Sequence, residues 1–158
     1  MRAFAKIITG ITLVVMLFVV YLLYGVHLQV EAQRARVVPA SERAQEFEAI
    51  AAALKSGGFT GDVYQSGDLG EASEYSFVYI DMEVFNPGLL PAEMISVGLT
   101  PAEGDILMVP LGNMDLTGLH RTNLSVVVLC RNEAAQAERS VWLEYYCFGR
   151  SYTAAMGG

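Results

Sequence analysis

The chain has 158 residues, 53% of them hydrophobic, and a formal net charge of −7 at pH 7. The acidic excess lies after Val30, where eight Lys and Arg residues stand against seventeen Asp and Glu residues. A surface of that charge repels phosphate groups, so we expect no nucleic-acid partner. Only two histidines and two cysteines are present, with no closely spaced pair, so we expect no zinc site and no other cofactor.

The first element is a long apolar segment. Residues Ile7–Val30 carry no Lys, Arg, Asp or Glu. A helix of about 20 apolar residues crosses a bilayer core, and Ile7–Tyr24 nearly reaches that length. This predicts a single-pass transmembrane helix that contacts the lipid bilayer through Ile7–Tyr24. Arg2 and Lys6 precede the segment, so the positive-inside bias places the amino terminus in the cytoplasm and the rest of the chain outside.

A cleaved secretory signal is the alternative for the same segment. Val30-Glu31-Ala32 resembles a small-residue cleavage site, and Arg2 and Lys6 would form the basic region before it. The apolar region of a signal peptide spans about 7–15 residues, which is shorter than the segment here. We therefore favour an uncleaved signal-anchor. Both interpretations put the following domain in an extracytoplasmic compartment.

Residues 31–58 are predicted to form a connector and a short amphipathic helix. Glu31–Ala40 is polar and contains Pro39, which discourages a continuous helix leaving the membrane. Ser41 can cap the next helix, and Gly57-Gly58 can end it. The helix has apolar residues at three- and four-residue spacing, which predicts that it covers one side of the domain. These residues are Ala44, Phe47, Ile50, Ala51 and Leu54.

From Phe59 onward the apolar period changes to two, which predicts a mainly β domain over residues 59–152 and a flexible tail over 153–158. The strongest strand is Tyr75–Phe85, ended by the turn residues Asn86-Pro87-Gly88. Its predicted core face holds Val78, Ile80, Met82 and Val84. Further strands are predicted at 61–65, 94–99, 106–111, 121–131 and 139–149. Their number and Gly/Pro punctuation favour an antiparallel, immunoglobulin-like β-sandwich whose aromatic residues pack in the core.

The acidic residues fall mostly in one stretch, since Ser56–His120 contains ten acids and no Lys or Arg. We interpret them as a solvated surface, although a basic protein partner would be attracted to it. Four of the acids lie in or near one turn-rich region and are candidate calcium ligands. They are Asp62, Asp68, Glu71 and Glu74, and they lack the spacing and glycine placement of a calcium loop, so no metal site is predicted.

Cys130 and Cys147 lie in what should be an oxidising compartment, so a disulfide has to be considered. If residues 132–138 were the loop of a hairpin, Cys130 would lie opposite about Val141 and Cys147 opposite about Leu124. The two thiols would then be about 20 Å apart, too far for a bond. We therefore predict two buried free thiols.

Two arrangements invite comparison with enzymes. Cys130-Arg131 with His120 resembles the residue types of sortases, but the histidine lies too close in sequence and Cys130 ends an apolar strand. Asp81 and Glu83 would be about 7 Å apart on one strand face, near the spacing of glycosidase carboxylates. A solvent-facing strand accounts for both acids. We predict no catalytic, cofactor-binding or metal-binding residue and no enzymatic activity.

Two families show partial resemblance to the chain. The membrane helix, the strand ending in Val84-Phe85-Asn86-Pro87 and the later strand Leu124–Leu129 resemble late-embryogenesis-abundant type 14 domains and related immunoglobulin-like sandwiches. That resemblance implies a membrane-tethered sandwich without an active site. Gly10-Ile11-Thr12-Leu13-Val14 is similar to the cleavage region of type IV pilins and pseudopilins, although Val15 stands where that family has glutamate.

These observations predict a membrane-anchored, extracytoplasmic β-sandwich with a non-catalytic binding or structural role, whose protein partner, if any, the sequence does not identify. A pilin-like filament or secretion subunit is the first alternative. A cell-wall-directed hydrolase using Asp81 and Glu83 is the second.

Overall fold

The computed structural model describes residues 2–24, 27–110, 112 and 114–155. Two α-helices and nine β-strands account for most of them. The helices are α1 (Arg2–Tyr24) and α2 (Ala44–Ser56). The strands are β1 (Gln29–Pro39), β2 (Asp62–Val63), β3 (Tyr75–Phe85), β4 (Ala92–Leu99), β5 (Asp105–Val109), β6 (Met114–Leu116), β7 (Arg121–Arg131), β8 (Val141–Cys147) and β9 (Arg150–Ala155).

The strands form two antiparallel sheets, which confirms the mainly β fold and the sandwich. One sheet has the order β1-β3-β7-β5-β2 and the other the order β6-β4-β8-β9. Val78, Ile80, Met82 and Val84 are all buried in the core between the sheets, as predicted from their period-two spacing. The immunoglobulin-like type of sandwich stays a prediction.

Helix α2 covers the outer face of the five-stranded sheet and creates a second apolar cluster. Phe47 and Ile50 pack there against Phe77 and Leu129. This explains the unbroken apolar run 126–129 in β7, because a strand buried on both faces needs no polar side chains. The predicted covering role of the helix is confirmed. Gly57 ends α2 in the left-handed conformation with φ 70°, as expected for a helix C-cap.

The predicted connector Glu31–Ala40 is wrong, because this segment forms most of edge strand β1. β1 pairs with β3 from Gln29 opposite Phe85 to Pro39 opposite Ser76, with an irregularity between Val30 and Ala32. Only one side of an edge strand is paired, and most side chains of β1 are exposed. The strand therefore lacks the apolar alternation that marks a half-buried strand.

Three further expectations need correction. Ser41 does not cap α2: a 3₁₀ turn over Ala40–Arg43 precedes the helix, whose N-terminus has no side-chain cap bond. Residues 114–116, which lie between the predicted strands 106–111 and 121–131, form β6. The predicted strand 139–149 ends at Cys147, where a turn leads into β9, so residues 153–155 of the predicted tail are paired with β8. The remainder of that tail, 156–158, lies outside the described residues.

Both cysteines are free and buried, as predicted, but the hairpin used to argue for it is wrong. β7 pairs with β3 and β5, whereas β8 pairs with β4 and β9 in the other sheet. Residues 132–140 therefore cross between the sheets and do not join two neighbouring strands.

The sandwich has two ends that matter for the sections below. The near end is where α1 joins the domain, and it comprises loops 86–91 and 117–120 with the turn 148–149. The far end comprises residues 40–43, 71–74, 100–104 and 132–140. Strand β3 runs the full distance between them, which at strand rise is about 34 Å for its eleven residues.

Candidate functional site

Helix α1 has no apolar partner in the described part of the chain. The span Phe4–Leu22 has 19 residues, a mean hydropathy of 2.3 and no buried side chains. At 1.5 Å per residue it is about 28 Å long, close to the thickness of a bilayer core. By length and composition it is the one described helix able to cross a membrane, a test that an N-terminal signal sequence also passes.

The chain enters the sandwich core almost immediately after α1. Leu28 is buried, and its backbone N–H donates to the Tyr145 hydroxyl at 3.1 Å. The His27 ring packs edge-on against Tyr152, with the ring centroids 6.0 Å apart. Four residue steps separate Tyr24 from Leu28, and an extended chain covers at most about 14 Å in that distance. The near end of the sandwich therefore lies close to the C-terminus of α1.

An ion pair also holds the start of β1. The Arg121 guanidinium donates two bonds to the Glu31 carboxylate, at 2.8 and 2.9 Å. Hydrogen bonding from Arg121 lowers the pKa of Glu31 despite its exposed position. The bond links β1 to the first residue of β7 across the end of β3. Together with Leu28, it makes the segment after α1 an integral part of the fold.

Asn86 organises the near-end loops. Its side-chain amide donates to the carbonyls of Leu90 and Leu116, at 2.9 and 3.1 Å, and its Oδ1 accepts from the Gly88 N–H. The Leu119 N–H donates to the backbone carbonyls of Asn86 and Gly88. Loops 86–91 and 117–120 are thus bonded to each other. The Tyr21 hydroxyl of α1 reaches the Pro87 carbonyl at 3.4 Å.

The far end contains a buried ion pair that sequence analysis missed. Arg139 Nε lies 3.0 and 3.2 Å from the two oxygens of Asp105, and its Nη atoms donate to the carbonyls of Ala134 and Ala137. Asp105 also accepts from the Ala102 N–H at 2.8 Å. Burial lowers the pKa of Arg139, but the bonds and charge of Asp105 outweigh it and the pKa is raised. Asp105 is therefore a structural residue and was wrongly grouped with the solvated acids.

A groove of about 950 Å³ opens beside β1. Its floor is formed by Ala35, Val37, Val78 and Ile80, and its rim by residues 135–140. The residues at the floor are small and apolar, and the rim is more polar and includes Glu138 and Arg139.

Asp81 and Glu83 lie on the outer face of β3, as predicted. Asp81 is paired in register with Arg34 of β1 and Ser125 of β7, and Glu83 with Ala32 and Asn123. They border a shallow depression of about 460 Å³.

The sortase-like set is not assembled. Cys130 is fully buried and its thiol donates to the Ser76 carbonyl at 3.6 Å. Burial raises its pKa to about 11, which disfavours the thiolate needed for attack. His120 precedes β7 at the near end and Arg131 ends β7 at the far end, so the strand length of about 34 Å separates them.

The four acids considered for calcium do not converge. Asp62 lies on β2, while Asp68, Glu71 and Glu74 are spread along the segment that leads to β3. Within the described residues, no three His, Cys, Asp or Glu side chains are placed to share a metal ion.

Comparison with known proteins adds little to this geometry. No protein-family model matches the chain, and no curated protein sequence matches it. Among solved structures it is similar to an uncharacterised β-sandwich protein from Clostridium difficile 630, with 9% identity and a TM-score of 0.31 over 82% of this chain and 84% of that one. No family match supports the late-embryogenesis-abundant or the pilin resemblance. The β-sandwich assignment rests on this chain's own strand pairing.

Proposed function

We propose that this chain is a single-pass membrane protein whose β-sandwich lies outside the cytoplasm and has a binding or structural role without catalysis. The retained helix α1 is the anchor. The amino terminus, with Arg2 and Lys6, stays in the cytoplasm according to the positive-inside bias.

The burial of Leu28 is the observation that carries this proposal. Cleavage after Ala32 would remove Leu28 from the core together with the Glu31–Arg121 ion pair. It would also remove the part of β1 that pairs with Phe85, Val84 and Glu83. A signal peptide is discarded, so its cleavage should leave the mature fold intact. Here the fold begins before the candidate cleavage site, which supports a retained anchor.

The absence of catalysis is inferred from the surroundings of the reactive side chains. Cys130 is buried as a neutral thiol, and His120, the histidine of the sortase-like set, is at the other end of the strand. Asp81 and Glu83 face outward on a shallow surface and do not enclose a substrate-sized pocket. These positions favour a surface that binds or supports over one that reacts.

Membrane extraction and protease accessibility test the anchor. The full chain with a C-terminal tag should resist alkaline carbonate extraction, and the tag should be digested on intact spheroplasts. In a matched variant, Leu13→Arg with Leu17→Arg, each arginine costs about 2.5–3.5 kcal/mol at a helix centre and should release the protein. Release of the unmodified chain, or a tag protected until the cells are lysed, would contradict the proposal.

A second experiment tests the absence of catalysis. The variant Asp81→Ala with Glu83→Ala should leave the behaviour of the protein in a cell-wall hydrolysis assay unchanged. Hydrolysis that the unmodified protein catalyses and this variant does not would instead support the hydrolase alternative.

A further inference from the structure

The near end exposes large apolar side chains from four separate positions in the chain. Phe148 is 75% exposed, Leu119 58%, Met94 53% and Leu89 46%. Leu89 and Leu119 lie on the two loops that are bonded through Asn86, Met94 is at the irregular start of β4, and Phe148 is in the turn between β8 and β9. Leu89, Leu119 and Phe148 lie in the near-end loops and turn, whereas Met94 lies two residues into β4, where its backbone N–H donates to the Asp115 carboxylate at 2.9 Å. Exposed apolar residues at one end of a domain are informative in a way that scattered single ones are not. We call Leu89, Met94, Leu119 and Phe148 the apolar tip.

Three of these four residues also have strained backbones. Of the described residues other than glycine, those with positive φ are Met94 at 52°, Leu119 at 61° and Phe148 at 49°. Left-handed backbone is unfavourable for large side chains and is usually taken by Gly, Asn or Asp. The coincidence is informative, since the strained positions and the exposed apolar positions are the same residues. Strain of this kind concentrates where residues have a function.

The turn after β8 illustrates the choice of residue. Cys147 pairs with Arg150, so Phe148-Gly149 is a two-residue hairpin loop with positive φ at both positions. Asn-Gly is the sequence best suited to this turn. Phenylalanine at this position adds backbone strain. Its aromatic ring is mostly exposed to solvent, so packing inside the sandwich does not explain its presence.

Charge and position identify the surface that the apolar tip would meet. Loops 86–91 and 117–120 and the turn 148–149 contain no Asp, Glu, Lys or Arg. They surround the point at which the chain arrives from α1, about 14 Å at most from the helix terminus. The Tyr21 hydroxyl, at the outer end of the candidate span, contacts the Pro87 carbonyl beside Leu89. Loop 86–91 therefore lies at the depth of the membrane interface if α1 spans the bilayer.

We infer that the apolar tip inserts into the interfacial region of the same membrane leaflet from which α1 emerges, so that the sandwich rests end-on against the lipid. This inference depends on the proposed anchor. The retained helix brings the tip to the interface without loss of further translational freedom, so a few exposed side chains suffice for contact. Apolar and aromatic side chains without charge are the composition that the interface favours.

Depth-dependent fluorescence quenching tests the inference on the full chain in phosphatidylcholine nanodiscs. Trp142, the one tryptophan, is replaced by Phe, and a single tryptophan is introduced by Phe148→Trp or, as a second variant without positive φ, by Leu89→Trp. Lipids brominated near the headgroup should quench the fluorescence of both variants at least about twofold. A matched control, Gln136→Trp at the exposed far end, should show no quenching.

The outcomes separate the two proposals. Quenching of the near-end tryptophans with none at residue 136 supports the docked tip. If the protein co-purifies with nanodiscs but neither near-end tryptophan is quenched, the anchor stands and the docked tip is wrong. If the protein does not associate with nanodiscs, the proposed function fails first. Equal quenching at all three positions would also contradict the inference, because it would mean that the domain has no fixed orientation.

Discussion

The two ends of the sandwich differ in the charge of their loops and in the interactions that hold those loops together. The four far-end segments carry six exposed acids, Glu42, Glu71, Glu74, Glu103, Glu133 and Glu138, and surround the buried pair of Asp105 and Arg139. The near-end loops carry no charge, are held by the neutral Asn86 network, and expose strained apolar residues. Exposed acids are concentrated in the far-end segments, whereas the charges at the near end, such as the Glu31–Arg121 pair, lie on the strands beside the uncharged loops.

This difference indicates which end is adapted to water. An acidic surface keeps the far end soluble and repels anionic headgroups, whereas the near-end loops themselves contain no acidic residue. At the far end, the guanidinium nitrogens of Arg139 are hydrogen-bonded to Asp105 and to two backbone carbonyls. At the near end, three exposed apolar residues keep a strained backbone conformation. The buried ion pair therefore lies at the end away from α1, and the strained apolar residues that we infer to contact lipid lie beside α1.

The largest expected effect is the loss of stability when the buried ion pair at the far end is broken. Asp105→Ala leaves the Arg139 guanidinium buried without its carboxylate, and removal of one partner from a buried pair costs about 3–5 kcal/mol. Urea denaturation of the full chain in detergent should show this loss as a lower midpoint. Glu133→Ala, which removes an exposed acid from the same end, should change stability by less than about 0.5 kcal/mol. Equal effects would mean that the pair is not buried as described.

A comparable test applies to the near end at the point where α1 joins it. Leu28→Ala removes a buried side chain and should cost about 2–5 kcal/mol in the same denaturation experiment. The control, Leu89→Ala, shortens a leucine that is about half exposed and should have a much smaller effect. A negligible cost for Leu28→Ala would show that the fold starts later in the chain and would restore the cleaved-signal interpretation.

Relieving the backbone strain at the near end should increase the stability of the domain, in contrast to the two substitutions above. Phe148→Asn creates the Asn-Gly sequence preferred in this turn and should raise the free energy of unfolding in detergent by about 1–2 kcal/mol. Phe148→Leu keeps an apolar side chain at positive φ and should not stabilise the protein. If Phe148→Asn destabilises the domain, the ring contributes to packing, and the strain is not a cost tolerated for membrane contact.

The smallest expected effect compares how often each end opens. Cys130 lies in a central strand near the far end, and Cys147 lies next to the near-end turn. Burial raises the pKa of both thiols, that of Cys130 to about 11, so both are neutral at pH 8 and react only after opening. Maleimide labelling followed by peptide mass analysis should modify Cys147 about fivefold faster, equivalent to about 1 kcal/mol.

The same raised pKa values have a consequence for pH. The Cys130 thiol has a higher pKa in the folded state than in the unfolded state. Its contribution to the free energy of unfolding is therefore complete below the unfolded-state pKa and is lost as the pH rises towards about 11. Labelling at pH 8 therefore does not itself loosen the fold. Faster labelling of Cys130 would contradict the assignment of the more stable end.

The parts of the fold that were predictable are those with strong, local apolar patterns. α1 carries no charged residue after Lys6. β3 and β7 were predicted with their observed bounds, because each presents a regular apolar face. β1 was missed since an exposed edge strand carries Glu31, Arg34 and Arg36 like any solvated connector. Pattern alone cannot show that β3 lies beside it.

The candidate site was less predictable because it depends on contacts between distant segments. Leu28 reads as the last part of an apolar span, and only its bond to Tyr145 shows that it belongs to the sandwich. Asp105 looks like one more acid in an acidic stretch until Arg139 is placed beside it. Phe148 was expected in the core with the other aromatic residues, whereas the turn it occupies exposes it.

The retained helix is the claim on which the comparison of the two ends depends, and intact mass of the protein extracted from its membrane tests it most directly. We expect the full chain of 17.2 kDa. Brief alkylation before unfolding should label few molecules, and alkylation after unfolding without reduction should add two groups, since both thiols are free and buried. A mass that corresponds to a chain starting after Ala32 would contradict the anchor. A mass that corresponds to a chain starting after Gly10 would support the pilin-like alternative.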